Sequence, residues 1–250
     1  MSKIRENIRR SQRFEYGIYQ FIDYLIGRKR GHELTEGVRR KYYQKLYKTL
    51  KEGGKGKVIP VERRKDLSLK EFKEHYVKKG IPVVLEGAAK EWDCVKHWSL
   101  DYFKNLHGDD KVVMMDQTDI SAHDIEETTL ADIIDNIRDG GSKYYRFYPL
   151  LKRHPEHLLD FDYTWLRKQR RKNSFGEAFH VFISGKGGFT PIHNASSENI
   201  FIQVHGEKKW VLYPIEATCV VDPSPTRNFY RSAPVRNGKD FNPFKKNFED

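Results

Sequence analysis

Cysteine is scarce: two residues, Cys94 and Cys219, in a chain of 250. That leaves no disulfide framework and no zinc-type spacing, and it predicts a reducing, cytoplasmic setting. Long apolar runs are missing as well; the longest fall far short of the ~18 residues that a membrane span requires. The opening residues, MSKIRENIRRSQRF, carry basic groups but neither an apolar core nor a cleavage site, which argues against a signal peptide. Glycines cluster in GGKGK, residues 53–57. No strand pattern precedes them and no Ser or Thr follows the lysine, so a phosphate-cradling loop is set aside. No nucleic-acid recognition motif is present. What remains is a soluble chain, long enough for one sizeable core plus an appended segment. Its aromatic content of 13 % argues for a packed domain rather than disorder.

The net charge of +11 is unevenly placed. Residues 1–57 hold 16 Lys and Arg against 6 Asp and Glu, while the other 193 residues hold 30 against 29. Basicity therefore belongs to the N-terminal segment. It supplies either a patch for nucleic acid or an anionic membrane surface or, more commonly, the solvated face of helices. Periodicity predicts two such helices. Phe14, Ile18, Phe21, Ile22 and Leu25 fall on one stripe, and Gly27 and Gly31 end that helix around three cations. A second helix is expected from Leu34 to Leu50, apolar at Val38, Tyr42, Tyr43, Leu46 and Leu50. Such a pair packs on its own domain or joins two copies in a homodimer. GGKGK marks the expected boundary, giving a basic helical segment over residues 1–56 and a second domain over 57–250.

Beyond the boundary, helices come early and strands late. Val58–Val61 reads as a short strand, and Ser68 as the cap of a helix running to Lys79, with Glu71 at the capping-box position. Val83–Leu85 is a strand, Ser99 starts a helix, and Lys111–Met115 is another strand. Thr129 caps a helix that Gly140 and Gly141 close, and Tyr144–Tyr148 reads as a strand. Phe179–Ser184 and Asn199–Leu212 alternate or run apolar, with a turn at Gly206. The pattern predicts an α+β fold with an antiparallel barrel or sandwich core.

The most informative stretch is Thr190–Pro214, TPIHNASSENIFIQVHGEKKWVLYP. A histidine, His193, stands at a strand end, and polar residues Asn199, Gln203 and Lys208 recur at regular offsets. Together with GIPVVLEGAAKEWDCVKHWSLDYF, residues 80–103, this stretch resembles the JmjC and cupin-like hydroxylases. The resemblance runs from about residue 58 to the end of the chain. It implies a double-stranded β-helix (a jelly-roll, cupin-like core) and an iron(II)- and 2-oxoglutarate-dependent oxygenase. By the same resemblance His193 is the first metal ligand. Lys208 pairs with the distal carboxylate of 2-oxoglutarate, Thr190 hydrogen-bonds it, Asn199 lines the site, and Tyr145 supplies a further contact.

The sequence also departs from that pattern. A non-haem iron(II) site needs two histidines and a carboxylate on one face, and the family supplies the first two ligands as H-x-D/E. Here the carboxylate position is Ala195. Asn194 belongs to the opposite strand face and Glu198 is out of step. No histidine follows His205, and the Pro-Gly-Asp turn and strand that bear the family's last histidine are absent, so a barrel incomplete at its C-terminal strands is expected. Three readings stay open. The chain is a hydroxylase of unread substrate, with protein among the classes allowed. Or it is a metal-free pseudoenzyme that binds a small anion or a protein partner. Or it is an oxygenase in which a halide or water fills the carboxylate position.

Overall fold

The computed structural model describes residues 8–52, 58–114, 126–141, 144–170, 179–188, 190, 192–195, 198–223, 225 and 230–232. Helices α1 (Arg10–Ile26) and α2 (Arg28–Glu52) open the chain. Strand β1 (Glu62–Arg64), the short helix α3 (Leu69–Glu71) with a π-turn over Phe72–Val77, and β2 (Val83–Leu85) follow. Next come α4 (Asp93–His97), α5 (Leu100–His107), β3 (Lys111–Met114), β4 (Glu126–Thr129), α6 (Leu130–Arg138) and β5 (Tyr144–Tyr148). Then come α7 (Leu150–Arg153), a 3-10 turn (Pro155–Asp160), α8 (Tyr163–Gln169), β6 (Val181–Ser184), β7 (His193–Ala195), α9 (Thr218–Val221) and β8 (Tyr230–Ser232). No described helix is long and apolar enough to cross a membrane.

The chain forms two compact units. One comprises residues 1–59, 190–200 and 209–250; the other comprises 60–189 and 201–208. The expected boundary at 53–57 lies outside the described residues.

In the first unit α1 and α2 pack against each other. Gly27, at φ +89°, ends α1 in a conformation that L side chains rarely adopt. The second helix starts at once, at Arg28, and Gly31 lies inside it rather than closing α1. A Cβ at Gly31 would come 2.1 Å from Asp23 Oδ1, so close packing there depends on the missing side chain. The buried stripe of α1 is not the aliphatic one. Phe14 is 74 % exposed and Phe21 61 %, whereas Tyr16, Tyr19 and Asp23 are buried. They pack with Ile8, Tyr42, Tyr43, Leu46, Cys219 and Val220. The reason is pairing: Arg39 holds the Asp23 carboxylate, and Tyr16 donates its hydroxyl to Asp222 Oδ1 at 3.1 Å. Pairing offsets much of the cost of burying this polar face, and its rings bring large apolar area. Asp222 also accepts from Gln20 Nε2 at 3.2 Å and from Arg28. It follows α9 with φ +49°, the left-handed conformation of a helix-ending residue.

In the second unit the core gathers Cys94, Trp98, Phe103, Val112, Leu130, Ile133, Ile134, Tyr148, Leu150 and Ile183. The expected caps form as read. Ser68 Oγ accepts from Glu71 N at 3.2 Å and Ser99 Oγ from Tyr102 N at 3.1 Å; Thr129 and Asp132 close a full capping box. Glu71 does not complete a box of its own, because its carboxylate turns to Arg64 at 2.9 Å. The strand expected at 58–61 forms instead at β1, which runs parallel to β2.

The described strands pair as four two-stranded ladders: β1–β2 parallel, and β3–β4, β5–β6 and β7–β8 antiparallel. The α+β character and the N-terminal helices stand. A closed double-stranded β-helix is not formed by these ladders. Asn199–Leu212, expected as strand, runs without regular ladder pairing; Gly206, at φ +72°, makes the anticipated bend. Alternation marks two faces, but a strand also needs an edge to bond.

Both thiols are buried. Burial, reinforced by the nearby Asp160 charge, pushes Cys94 up to about 11, and burial pushes Cys219 up to about 11. Alkylation at pH 8 should therefore run about 100-fold slower in the native protein than in urea, because the thiolate is the reactive form. A mass-spectrometric labelling time course checks this; rapid labelling of either thiol without denaturant would contradict the packing.

Candidate functional site

Strand β7 carries His193, Asn194 and Ala195, opposite Ser232, Arg231 and Tyr230 of β8. His193 and Asn199 are exposed and Thr190 is half-buried, all three in the first unit. Lys208 and Tyr145 belong to the second. The Lys208 ammonium lies over two aromatic faces, 5.1 Å from the Phe201 ring centre and 5.6 Å from that of Phe182. Cation–π attraction positions this charge although the residue is exposed. Tyr145 is on β5, opposite Ile183 and beside an irregularity in the β5–β6 ladder; its side chain lies outside the described part of the molecule.

A second constellation was not read from the sequence. Helix α5 ends on His107, and the 3-10 turn after α7 begins at Pro155 and carries Glu156 and His157, with His154 just before it. His107 Nε2 is 2.7 Å from His157 Nε2. His157 Nδ1 is 2.7 Å from Asp160 Oδ2, which also accepts the Trp98 indole N–H at 2.8 Å. A carboxylate oxygen in that position accepts, so His157 carries its proton on Nδ1 and presents a lone pair at Nε2. His107 is then the donor between the two imidazoles.

His154 completes the group. Its ring stacks on His107 with centroids 3.6 Å apart, and its Nε2 is 2.9 Å from Asp110 Oδ2. Asp110 also accepts from the Tyr148 hydroxyl at 2.5 Å. Burial by itself would raise the Asp110 carboxyl, but the hydrogen bonds from Tyr148 and His154 and the charges of His154 and Arg153 outweigh it, leaving it below the usual range. His107 is held below the ordinary histidine range, first by burial and then by His154 and His157. A cleft of about 150 Å³ opens beside it, lined by Lys104, His107, Asp109, Asp110 and His154 among others. The signal in sequence was HPEH, residues 154–157, two imidazoles and a carboxylate within four residues. His107 lies 50 residues away from His157 and only the fold joins them.

The chain belongs to the cupin-like domain family, whose profile matches residues 69–247. It is 26 % identical over 161 residues to lysine-specific demethylase 8 of Xenopus tropicalis, covering 60 % of this chain and 35 % of that protein. The chain thus spans about a third of the length of that curated relative. The resemblance read from residues 80–103 and 190–214 is borne out.

The iron that this kinship implies does not fit the residues around His193. An alanine offers no donor atom at the carboxylate position, and among the described residues His193 stands in no group of three metal-competent side chains.

Proposed function

We propose that this chain is a cupin-like protein of the 2-oxoglutarate oxygenase group that binds an oxoacid without assembling the usual iron centre, and that its partner is a protein. Family membership across residues 69–247 supports the kinship, and the alanine on β7 carries the departure from it. The name of the amphibian relative, a lysine-specific demethylase, supports a protein partner. In this reading Lys208 anchors the distal carboxylate as a compact cation already oriented by Phe182 and Phe201, and Tyr145, in the same unit, supplies a further oxoacid contact.

A calorimetric titration with 2-oxoglutarate tests it. Binding should be detectable without iron, and Lys208→Ala should weaken it about 10- to 100-fold, the worth of a hydrogen bond to a charged group. No binding, or binding indifferent to Lys208, would refute the oxoacid reading. A second reading, an iron-dependent hydroxylase, is favoured by the retained His193. It requires a carboxylate from elsewhere to complete the metal site, and iron-dependent release of succinate from 2-oxoglutarate would establish it. Ala195→Asp should raise iron affinity if β7 is a lapsed metal strand.

A further inference from the structure

We propose that His107, Glu156 and His157 form a divalent-cation site of the zinc class, built on residues other than those of β7. One ligand atom from each lies within 4.8 Å of the other two. Each is placed by backbone structure: His107 by the end of α5, and Glu156 and His157 by the 3-10 turn that Pro155 starts.

The hydrogen bonding prepares the site. Asp160 fixes the His157 proton on Nδ1 and is itself fixed by Trp98 from the core, which leaves Nε2 as the lone-pair atom that meets His107 and that a metal would take. A carboxylate behind a ligating imidazole is the recurrent support of zinc histidines. The His157 side chain is 5 % exposed, so its ring has little freedom to turn away. Glu156, 62 % exposed and held only by a 3.7 Å contact from His154 Nδ1 to its Oε1, supplies the negative charge that a dication needs. His154 is not a ligand in this scheme. Its Nε2 is committed to Asp110 and its ring forms a wall against His107.

The two Nε2 atoms, 2.7 Å apart, now share a proton. Zinc–nitrogen bonds of about 2.0–2.1 Å in tetrahedral geometry hold two nitrogens about 3.3 Å apart. A cation therefore enters as that proton leaves His107 Nε2 for solvent and His107 Nδ1 takes one up, so that His107 binds as a neutral imidazole, and the rings part by roughly 0.6 Å. Two imidazoles and one carboxylate suit zinc rather than magnesium or calcium, which prefer all-oxygen shells. The adjoining cleft gives the fourth position access to water.

The test uses the full chain, stripped with a chelator and titrated with Co²⁺ followed by visible spectroscopy, and with Zn²⁺ by calorimetry. The expected result is one cation per chain with tetrahedral Co²⁺ bands, abolished by His107→Asn and weakened about 10-fold or more by Glu156→Gln. Glu156 is exposed, so its variant reports even if changes at buried His157 impair folding; circular dichroism verifies that each variant is folded. His193→Asn should leave the affinity unchanged. Absence of binding, binding that survives both His107→Asn and Glu156→Gln, or binding lost with His193→Asn would overturn the assignment.

Discussion

Asp23→Ala is expected to destabilise the protein by about 3–5 kcal/mol, the cost of stranding one member of a buried ion pair. The side chains of Asp23 and Arg39 are 0 % and 4 % exposed. Asp23 is the charged partner that neutralises Arg39, whose other contacts include the Tyr19 carbonyl at 3.2 Å, the Thr35 hydroxyl at 2.6 Å, the His32 imidazole at 3.1 Å and the face of the Tyr19 ring. Without the carboxylate, a guanidinium remains buried among rings with no compensating charge. Replacing both partners, Asp23→Leu with Arg39→Met, should cost much less than the single change, because no orphaned charge is left. Urea unfolding reads both: the single variant shifts the midpoint with an unchanged slope. A loss below about 1 kcal/mol would mean that the pair is solvated.

Trp98→Ala should cost a similar 3–5 kcal/mol, the range for removing a large core ring. Trp98 meets Phe103 at 5.0 Å and Phe161 at 5.1 Å between ring centres, both edge-to-face, and lies 5.8 Å from His157. Trp98→Phe separates packing from hydrogen bonding. It keeps most of the ring but removes the indole N–H from Asp160, for an expected cost of about 1–3 kcal/mol. Thermal and urea unfolding of the two variants check the ordering; equal losses would show that the hydrogen bond, not the ring volume, dominates.

Local rules made much of this fold legible. Ser68, Ser99 and Thr129 cap where side-chain chemistry says they should, and Gly206 bends where a positive φ was needed. The motifs over 80–103 and 190–214 together were enough to place the family. What escaped was non-local. Hydropathy ranked Phe14 and Phe21 above Tyr16 and Asp23 for burial, because periodicity cannot know that Asp222 and Arg39 wait as partners. Alternation over 199–212 marked two faces without supplying a neighbouring strand. The imidazole pair at 107 and 157 is created by tertiary closure, and no spacing rule covers it.

Asp222 has a consequence for the order of events in synthesis. Tyr16 and its acceptor are 206 residues apart, so the opening helical hairpin leaves the ribosome long before its aspartate does. Until then Tyr16 and Arg28 must settle for water, and the hairpin is a finished shape with unfinished wiring. Late long-range closure of this kind slows folding. It makes residue 222 the latch on a helix made 206 residues earlier.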